Sequence, residues 1–312
     1  MGAAEHSGRM ARSAAPLPEP FPGKSFSVGA ARAHGISRSR TRAGDLIRPH
    51  QGVRSPAGVD LPFGHRCAAL ETRLPASAAF SHVTAARLHG LPLPTALEDE
   101  DVFDVTVPRA TRAPRVKRVR GHHSTLGEKD VDERTHVRAT TPERTFCDLA
   151  SMLTLAQLVA VGDALLGRGG DGAARRLARA AAAHPARKHR RRLRRALELV
   201  DARSESPKES ELRVLLIEAG FPVPEVNHVV ADGAGAFVAR VDLAYPGLKI
   251  AIEYEGDQHR TDKAQWRKDL TRRRRLEALG WIYLSVTQAD LTDPAALFAD
   301  LRTALARRIP SS

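Results

Sequence analysis

Four carboxylates in the last third of the chain, Glu209, Asp242, Glu253 and Glu255, stand at spacings that could do chemistry, with His259 shortly after them. In FVARVDLAYPGLKIAIEYEGDQH, an alternating run, a Tyr-Pro-Gly turn signal and a second alternating run predict a β-hairpin. With the turn centred on Pro246 and Gly247, Asp242 is expected opposite Ala251, diagonal to Glu253 and on the same face as Glu255. Val241, Leu243, Ile250, Ile252 and Tyr254 then take the other face. Strand period two thus separates an apolar face from one that gathers three carboxylates, with Glu253 and Glu255 ~7 Å apart along the strand. Like charges held against a half-buried sheet repel unless a cation sits among them. An all-oxygen donor set suits a hard divalent ion such as Mg2+ or Mn2+. The competing reading leaves Glu253 and Glu255 on a solvated edge, balanced by Arg240 and Lys249.

The elements that must position these groups are legible on either side. In SESPKESELRVLLIEAGFPVP, Ser206 is an N-cap, Pro207 takes the first helical position and Gly220 ends the helix. Leu212, Leu215, Leu216 and Ala219 form its apolar stripe. Glu209 precedes Leu212 by three and Leu216 by seven, so it points toward the core side, where an unpaired carboxylate is costly.

Helical Glu209, then Asp242, then Glu253-Tyr254-Glu255-Gly256 with His259, a helix bearing Asp269 and the strand WIYLSV together resemble the PD-(D/E)XK nuclease superfamily. The branch resembled is domain of unknown function 559, relatives of the very-short-patch repair endonuclease, and the likeness covers about the last third of the chain. It implies a restriction-endonuclease-like α/β domain with a central mixed sheet over residues 204–312. It also implies that Asp242 and Glu253 ligate Mg2+ (or Mn2+), that Glu209 supports the ion or its water, and that Glu255 completes the acidic cluster. The Lys usual two places after the second acid is Glu255 here, and an acid followed by Gly is common in that branch. His259, Lys268 or Arg272 is then left to replace that cation; His259 is favoured, since it can serve as base or phosphate ligand near neutral pH.

Residues 1–20 have no period and are expected to form a disordered tail. In residues 21–58, Ser27 as N-cap, Gly35 as stop, Ser37 as a second N-cap before Arg38, Arg40 and Arg42, and LIRPHQGVR as a two-stranded wing predict a winged helix-turn-helix. Its alternative is a small helical pair packed on the next domain. Residues 59–170 predict a mixed α+β middle domain: a helix in SHVTAARLHGLPLP capped by Ser81 and stopped at Gly90, a strand in VFDVTVP, and helices opened by Thr141 and by Thr154 with Gln157. The N-terminal stretch, SHVTAARLHGL and TTPERTFCDLA are similar to the abortive-infection type IV antitoxin-like proteins of actinobacteria. His82, His89, His122 and His123 share no ligand spacing with a carboxylate or thiol. Cys67 and Cys147, 80 positions apart, read as small buried thiols.

Charge bears on the partner. The chain has 49 Lys and Arg against 36 Asp and Glu, a formal +13. Ten basic residues and two acids fall between Asp171 and Val200, where Arg191, Arg192, Arg194 and Arg195 surround an apolar stripe of Leu193, Leu197 and Val200. Residues 171–203 therefore read as a basic helical linker, and its arginines, with Lys268 and Arg272 further on, as phosphate contacts for DNA. Aromatics, at 4% of the chain, give RNA recognition little to stack on. No run approaches the ~18 apolar residues of a membrane span, and the start has no apolar signal-peptide centre, so the expectation is a soluble cytoplasmic protein. The expectation for the whole is a multi-domain α/β protein acting as a metal-dependent DNA endonuclease. The alternative is a non-catalytic DNA-binding regulator or antitoxin-like protein with a degenerate nuclease fold and a possible toxin or defence-system partner.

Overall fold

The structure, a computed structural model, describes residues 14–19, 21, 25–49, 51–57, 62–132, 137–256 and 263–308, with 263–269 described by backbone alone. Most of the expected tail, His259, and the side chains of Lys268 and Asp269 lie outside the described residues. The protein is mixed α and β, and divides into two compact units: residues 1–84 with 101–140, and residues 85–100 with 141–312. This partition differs from the segments expected from sequence, because 59–170 is split between the units and 171–203 belongs wholly to the second.

The first unit opens with β1 (Phe26–Ser27), α1 (Val28–Ala33), a 3-10 turn (Arg40–Arg42), β2 (Leu46–Ile47) and β3 (Val53–Pro56). Ser27 caps α1 by accepting from Ala30 N at 3.0 Å. Gly35, at φ +75°, closes the helix by letting Ile36 N reach Ala31 O at 2.9 Å. Ser37 does cap the next turn, with Arg40 N donating to its Oγ at 3.1 Å, but no recognition helix follows. Arg54, buried on β3, donates from Nε to the carbonyl of Thr41, so that carbonyl is turned inward instead of into a helical ladder. Arg40 is held bidentate by Asp45, at 2.8 and 2.7 Å, leaving Arg38 and Arg42 exposed. LIRPHQGVR contributes to an antiparallel hairpin, β2 paired with β3, with β1 on the far side of β3.

The chain continues through α2 (Phe63–Glu71), β4 (Ala79–Phe80), α3 (His82–Leu88), which runs across the first boundary, and α4 (Thr95–Glu98) in the second unit. It returns through β5 (Phe103–Val107), β6 (Val119–His123), β7 (Val131–Asp132) and β8 (Ala139–Thr140) to build a mixed five-stranded sheet in the order β6-β5-β4-β8-β7. The sequence reading missed a polar cluster there. His122 Nε2 lies 2.7 Å from Asp104 Oδ1, its ring stacks on His82 at 3.8 Å, and Ser81 Oγ bonds His82 Nδ1 at 2.9 Å and accepts from Thr106 Oγ1 at 2.7 Å.

In the second unit, α5 (Pro142–Leu149) is capped by Thr141 and α6 (Leu155–Gly169) opens on a capping box of Thr154 and Gln157. The expected linker is two packed helices, α7 (Ala173–Ala183) and α8 (Arg190–Leu199), which bury Leu177, Ala181, Leu193, Ala196 and Leu199. Packing against α6 is close: a Cβ on Gly162 would run into Val200 Cγ1 and sit 3.2 Å from Phe146 Cε2. Arg144 Nε and His184 Nε2 meet Asp148 Oδ1 at 3.0 and 2.9 Å beneath these helices. Cys67 and Cys147 are buried thiols, one in each unit.

The remaining elements are α9 (Pro207–Glu218), β9 (Glu225–Ala231), β10 (Phe237–Tyr245), β11 (Ile250–Tyr254), α10 (Lys263–Ala278), β12 (Ile282–Val286), α11 (Gln288–Thr292) and α12 (Ala295–Ala306). The strands form a mixed sheet in the order β12-β11-β10-β9, in which β11 runs parallel to β12 and the other pairs are antiparallel. Leu212 and Leu216 of α9 and Leu297, Leu301 and Ala304 of α12 pack with Leu243, Ile250 and Ile252, all nearly or fully buried. Leu276 of α10 and Trp281 pack with Val241, Ala244 and Ala251. The sheet thus has α9 and α12 in one apolar cluster and α10 in another, the layered arrangement that buries a sheet's apolar surface. Among the described residues no helix is long and apolar enough to cross a membrane.

Candidate active site

The β10–β11 hairpin brings the acids together in a register two residues along β11 from the one the sequence suggests, because its closing loop is longer. Pro246–Leu248 form a 3-10 turn and Lys249 takes the left-handed conformation at φ +48°, so four residues close the hairpin. Leu243 then pairs with Ile252 and Ala244 with Ala251, which puts Asp242 directly opposite Glu253 instead of opposite Ala251. The two carboxylates still share a face, because a shift of two residues leaves the strand parity unchanged.

Glu253 is not on an edge. Strand β11 is flanked by β10 and β12, and Glu253 is 3% exposed. Its Oε2 accepts from Tyr283 Oη at 2.8 Å and from Arg272 Nη2. Tyr283, on β12, pairs with Ala251 in the parallel register and so reaches the same face. Burial, followed by the charge of Glu253, pushes the Tyr283 phenol far up, so it stays a hydrogen-bond donor. Arg240 and Lys249, the cations of the solvated-edge reading, are used elsewhere. Arg240 Nη2 pairs with Glu205 at 2.5 Å and Lys249 Nζ donates to Leu279 O at 3.0 Å.

Asp242 Oδ2 accepts from the Tyr254 backbone N–H at 2.9 Å. Burial pushes its carboxyl up to about 6 from an ordinary 3.8; the Tyr254 N–H pulls the other way, the charge of Glu209 raises it again, and Arg272 and Arg240 lower it. Glu209 sits in the first turn of α9, whose N-cap Ser206 accepts from Glu209 N at 3.1 Å. The buried Glu209 side chain accepts from Glu205 N at 2.9 Å and from Asn227 Nδ2 at 3.2 Å, which satisfies the carboxylate that the helical pattern pointed inward. Helix α9 is anchored from behind by a buried network, in which Asp163 Oδ2 accepts from Arg213 Nη2 at 2.7 Å and from Ser210 Oγ at 2.6 Å. Glu255 lies just past β11, exposed, with its Oε1 3.4 Å from Tyr283 Oη.

Five elements thus bring Glu209, Asp242, Glu253, Arg272 and Tyr283 into one interacting set, with Glu255 at its rim. Tyr283 and the Arg272 link are what the sequence reading lacked. The donors are hard oxygens, which suits a divalent ion by type. Among the described residues, however, no three His, Cys, Asp or Glu side chains are grouped as a metal-holding set, and Arg272 holds the Glu253 oxygen an ion would take. Arg272 is therefore not the free phosphate contact expected of it.

The other expected contacts are also sorted by their partners. Arg192 Nη1 donates to Ala150 O and Leu153 O at 2.9 and 3.0 Å, and Arg195 pairs with Glu218 at 2.8 Å and Glu198 at 3.1 Å. Both are structural ties, while Arg191 and Arg194 are exposed.

At this level the fold defines a mixed α/β protein carrying a buried carboxylate, Glu253, and a half-buried one, Asp242, on a four-stranded mixed sheet. No family model matches the chain, and no solved structure matches it. It is 29% identical over 269 residues to the uncharacterized protein Rv2248 of Mycobacterium tuberculosis strain H37Rv, a span covering 86% of this chain and 95% of that relative. The uncharacterized protein MT2308 of Mycobacterium tuberculosis strain CDC 1551 is similar to the same extent.

Proposed function

We propose that the chain is a metal-dependent DNA endonuclease of the PD-(D/E)XK type, with Asp242 and Glu253 as the ligands of Mg2+ or Mn2+. The observation that carries this reading is the directly opposed pair itself, two carboxylates on interior strands with Asp242 raised to about 6 by burial and by a third acid. A protein gathers such charge at a net cost unless the site has a use for it. The ion, when bound, supplies charge neutralisation at the scissile phosphate and a lower pKa for the attacking water. The chain's own residues do the rest. Asp242 takes its ionised form above about pH 6 and Tyr283 holds Glu253 in place through a proton it keeps, while Arg272 would have to give up Glu253 Oε2 for that oxygen to hold an ion. Glu209 supports the ion or its water, Glu255 extends the acidic rim, and His259 assists proton transfer. The wing hairpin of the first unit, with Arg38 and Arg42 beside it, would supply DNA contacts.

Asp242→Ala should abolish Mg2+-dependent nicking of plasmid DNA and leave duplex binding intact; undiminished nicking by the variant would refute the assignment. A second reading, a DNA-binding regulator or antitoxin-like protein with a retired nuclease fold, is favoured by one contact: Arg272 already neutralises Glu253 without any ion. That reading predicts binding that is insensitive to EDTA and no cleavage at all.

A further inference from the structure

A cleft of about 460 Å3 lies wholly within the first unit, between the β2–β3 hairpin and the segment that leads into β6. Arg48, Gln51, Gly52 and Arg54 line one side, and Lys117 and Arg118 line the other. No acid lines it. Arg118 pairs with Asp101, which it shares with Arg66.

The cleft is built, and its cations are held from beneath. Arg54 is 9% exposed and fixed by its Nε to Thr41 O and by its Nη1 to Val53 O at 2.7 Å. Burial, then Arg48 and Arg42, lowers its pKa, the effect of guanidinium groups crowding one another. Gly52, at φ +78°, leaves the space that Arg73 fills. A Cβ there would stand 2.6 Å from Arg73 Nη1, so this guanidinium rests against the hairpin turn as well. Arg48 and Lys117 are exposed at the mouth. In the segment that supplies Lys117 and Arg118, six of the thirteen residues from Pro108 to Arg120 are Lys or Arg, these two included, and none is acidic.

Like charges gathered in this way repel, and the repulsion is relieved when an anion enters. A single small anion would be served by the cleft alone. A basic loop continuing past it is a track, and a track of charge fits a polymer of phosphates. We infer that this cleft binds the phosphate backbone of duplex DNA, with Arg48, Arg54, Lys117 and Arg118 as its contacts. The site abuts the 3-10 turn of Arg40–Arg42, where a recognition helix was expected, through the bond of Arg54 to Thr41 O. The inference rests on the DNA-binding half of the proposed function and not on cleavage.

The test is fluorescence anisotropy of the full chain with a labelled mixed-sequence duplex, in EDTA, across a series of NaCl concentrations. Neutralising two mouth residues together, Arg48→Gln with Lys117→Gln, should weaken binding at least about tenfold at low salt and reduce the slope of log K against log salt by about 2, since each lost phosphate contact removes about 0.9. Lys117→Gln alone should take away about half of that slope change, and provides the reading if the double variant melts early. Inorganic phosphate should compete no better than chloride at equal ionic strength. Unchanged affinity and slope overturn the inference, as does displacement of the duplex by inorganic phosphate alone, which would make the cleft a small-anion site. Because EDTA removes any cleavage, these outcomes are independent of whether Asp242→Ala loses nicking.

Discussion

Asp242 holds its carboxyl at a pKa of about 6 against an ordinary 3.8, chiefly because it is buried, with the charge of Glu209 adding to the effect. A group whose folded pKa is raised favours the folded state most below its unfolded value, and that advantage is lost as pH rises through the folded value. Above about pH 6 the folded protein therefore carries an ionised carboxylate that the unfolded chain would solvate more easily. At ~1.4 kcal/mol for each tenfold change in proton affinity the penalty is ~3 kcal/mol, and about 2 once the part of the side chain that meets solvent is discounted. Asp242→Asn keeps an oxygen for the Tyr254 N–H and removes the charge. In EDTA at pH 8 it should raise Tm by ~4–8 °C relative to the parent. The difference should vanish below about pH 4 and open between pH 4 and 6. Added Mg2+ should stabilise the parent and leave the variant unmoved. Differential scanning calorimetry at a series of pH values reads all three, and a variant no more stable than the parent at pH 8, or a difference without pH dependence, would refute the reasoning.

Other parts of the second unit give further tests. Arg272→Leu takes the guanidinium from Glu253, and with Arg272 35% exposed the loss should be ~1–3 kcal/mol in urea denaturation, partly recovered when Glu253→Gln is added. Arg213→Met breaks a pair with Asp163 in which both side chains are at most 4% exposed, and should destabilise by ~3–5 kcal/mol. Gly162→Ala forces a methyl group against Val200 and Phe146 and should lose ~1–3 kcal/mol without altering DNA binding, read by thermal melting and anisotropy.

The acids were visible in the sequence because strand alternation reports which face a residue takes. It does not report how many residues close a hairpin. The 3-10 turn at Pro246–Leu248 and left-handed Lys249 moved Asp242 from Ala251 to Glu253 for that reason. Helix caps were read well at Ser27, Thr141, Thr154 and Ser206, since capping is a local hydrogen bond between residues three apart. Partners distant in sequence were not legible. Nothing near Arg192 or Arg195 announces the Ala150 and Leu153 carbonyls or Glu218, and so a structural helix passed for a basic linker. Tyr283 reaches Glu253 only through the parallel pairing of β11 with β12. The cleft of the first unit had a local signal that went unread: the run of basic residues from Arg109 to Arg120 without an intervening acid.

The most direct measurement is conversion of supercoiled plasmid by the purified full chain, with Mg2+ and with EDTA, beside Asp242→Asn. Nicked or linear product is expected with Mg2+ in the parent alone, rising as pH passes about 6, where Asp242 becomes ionised. Plasmid left supercoiled by the parent at every Mg2+ and Mn2+ concentration, although the chain binds it, would contradict the account and favour a binding protein. Equal cleavage by the variant would place the chemistry elsewhere.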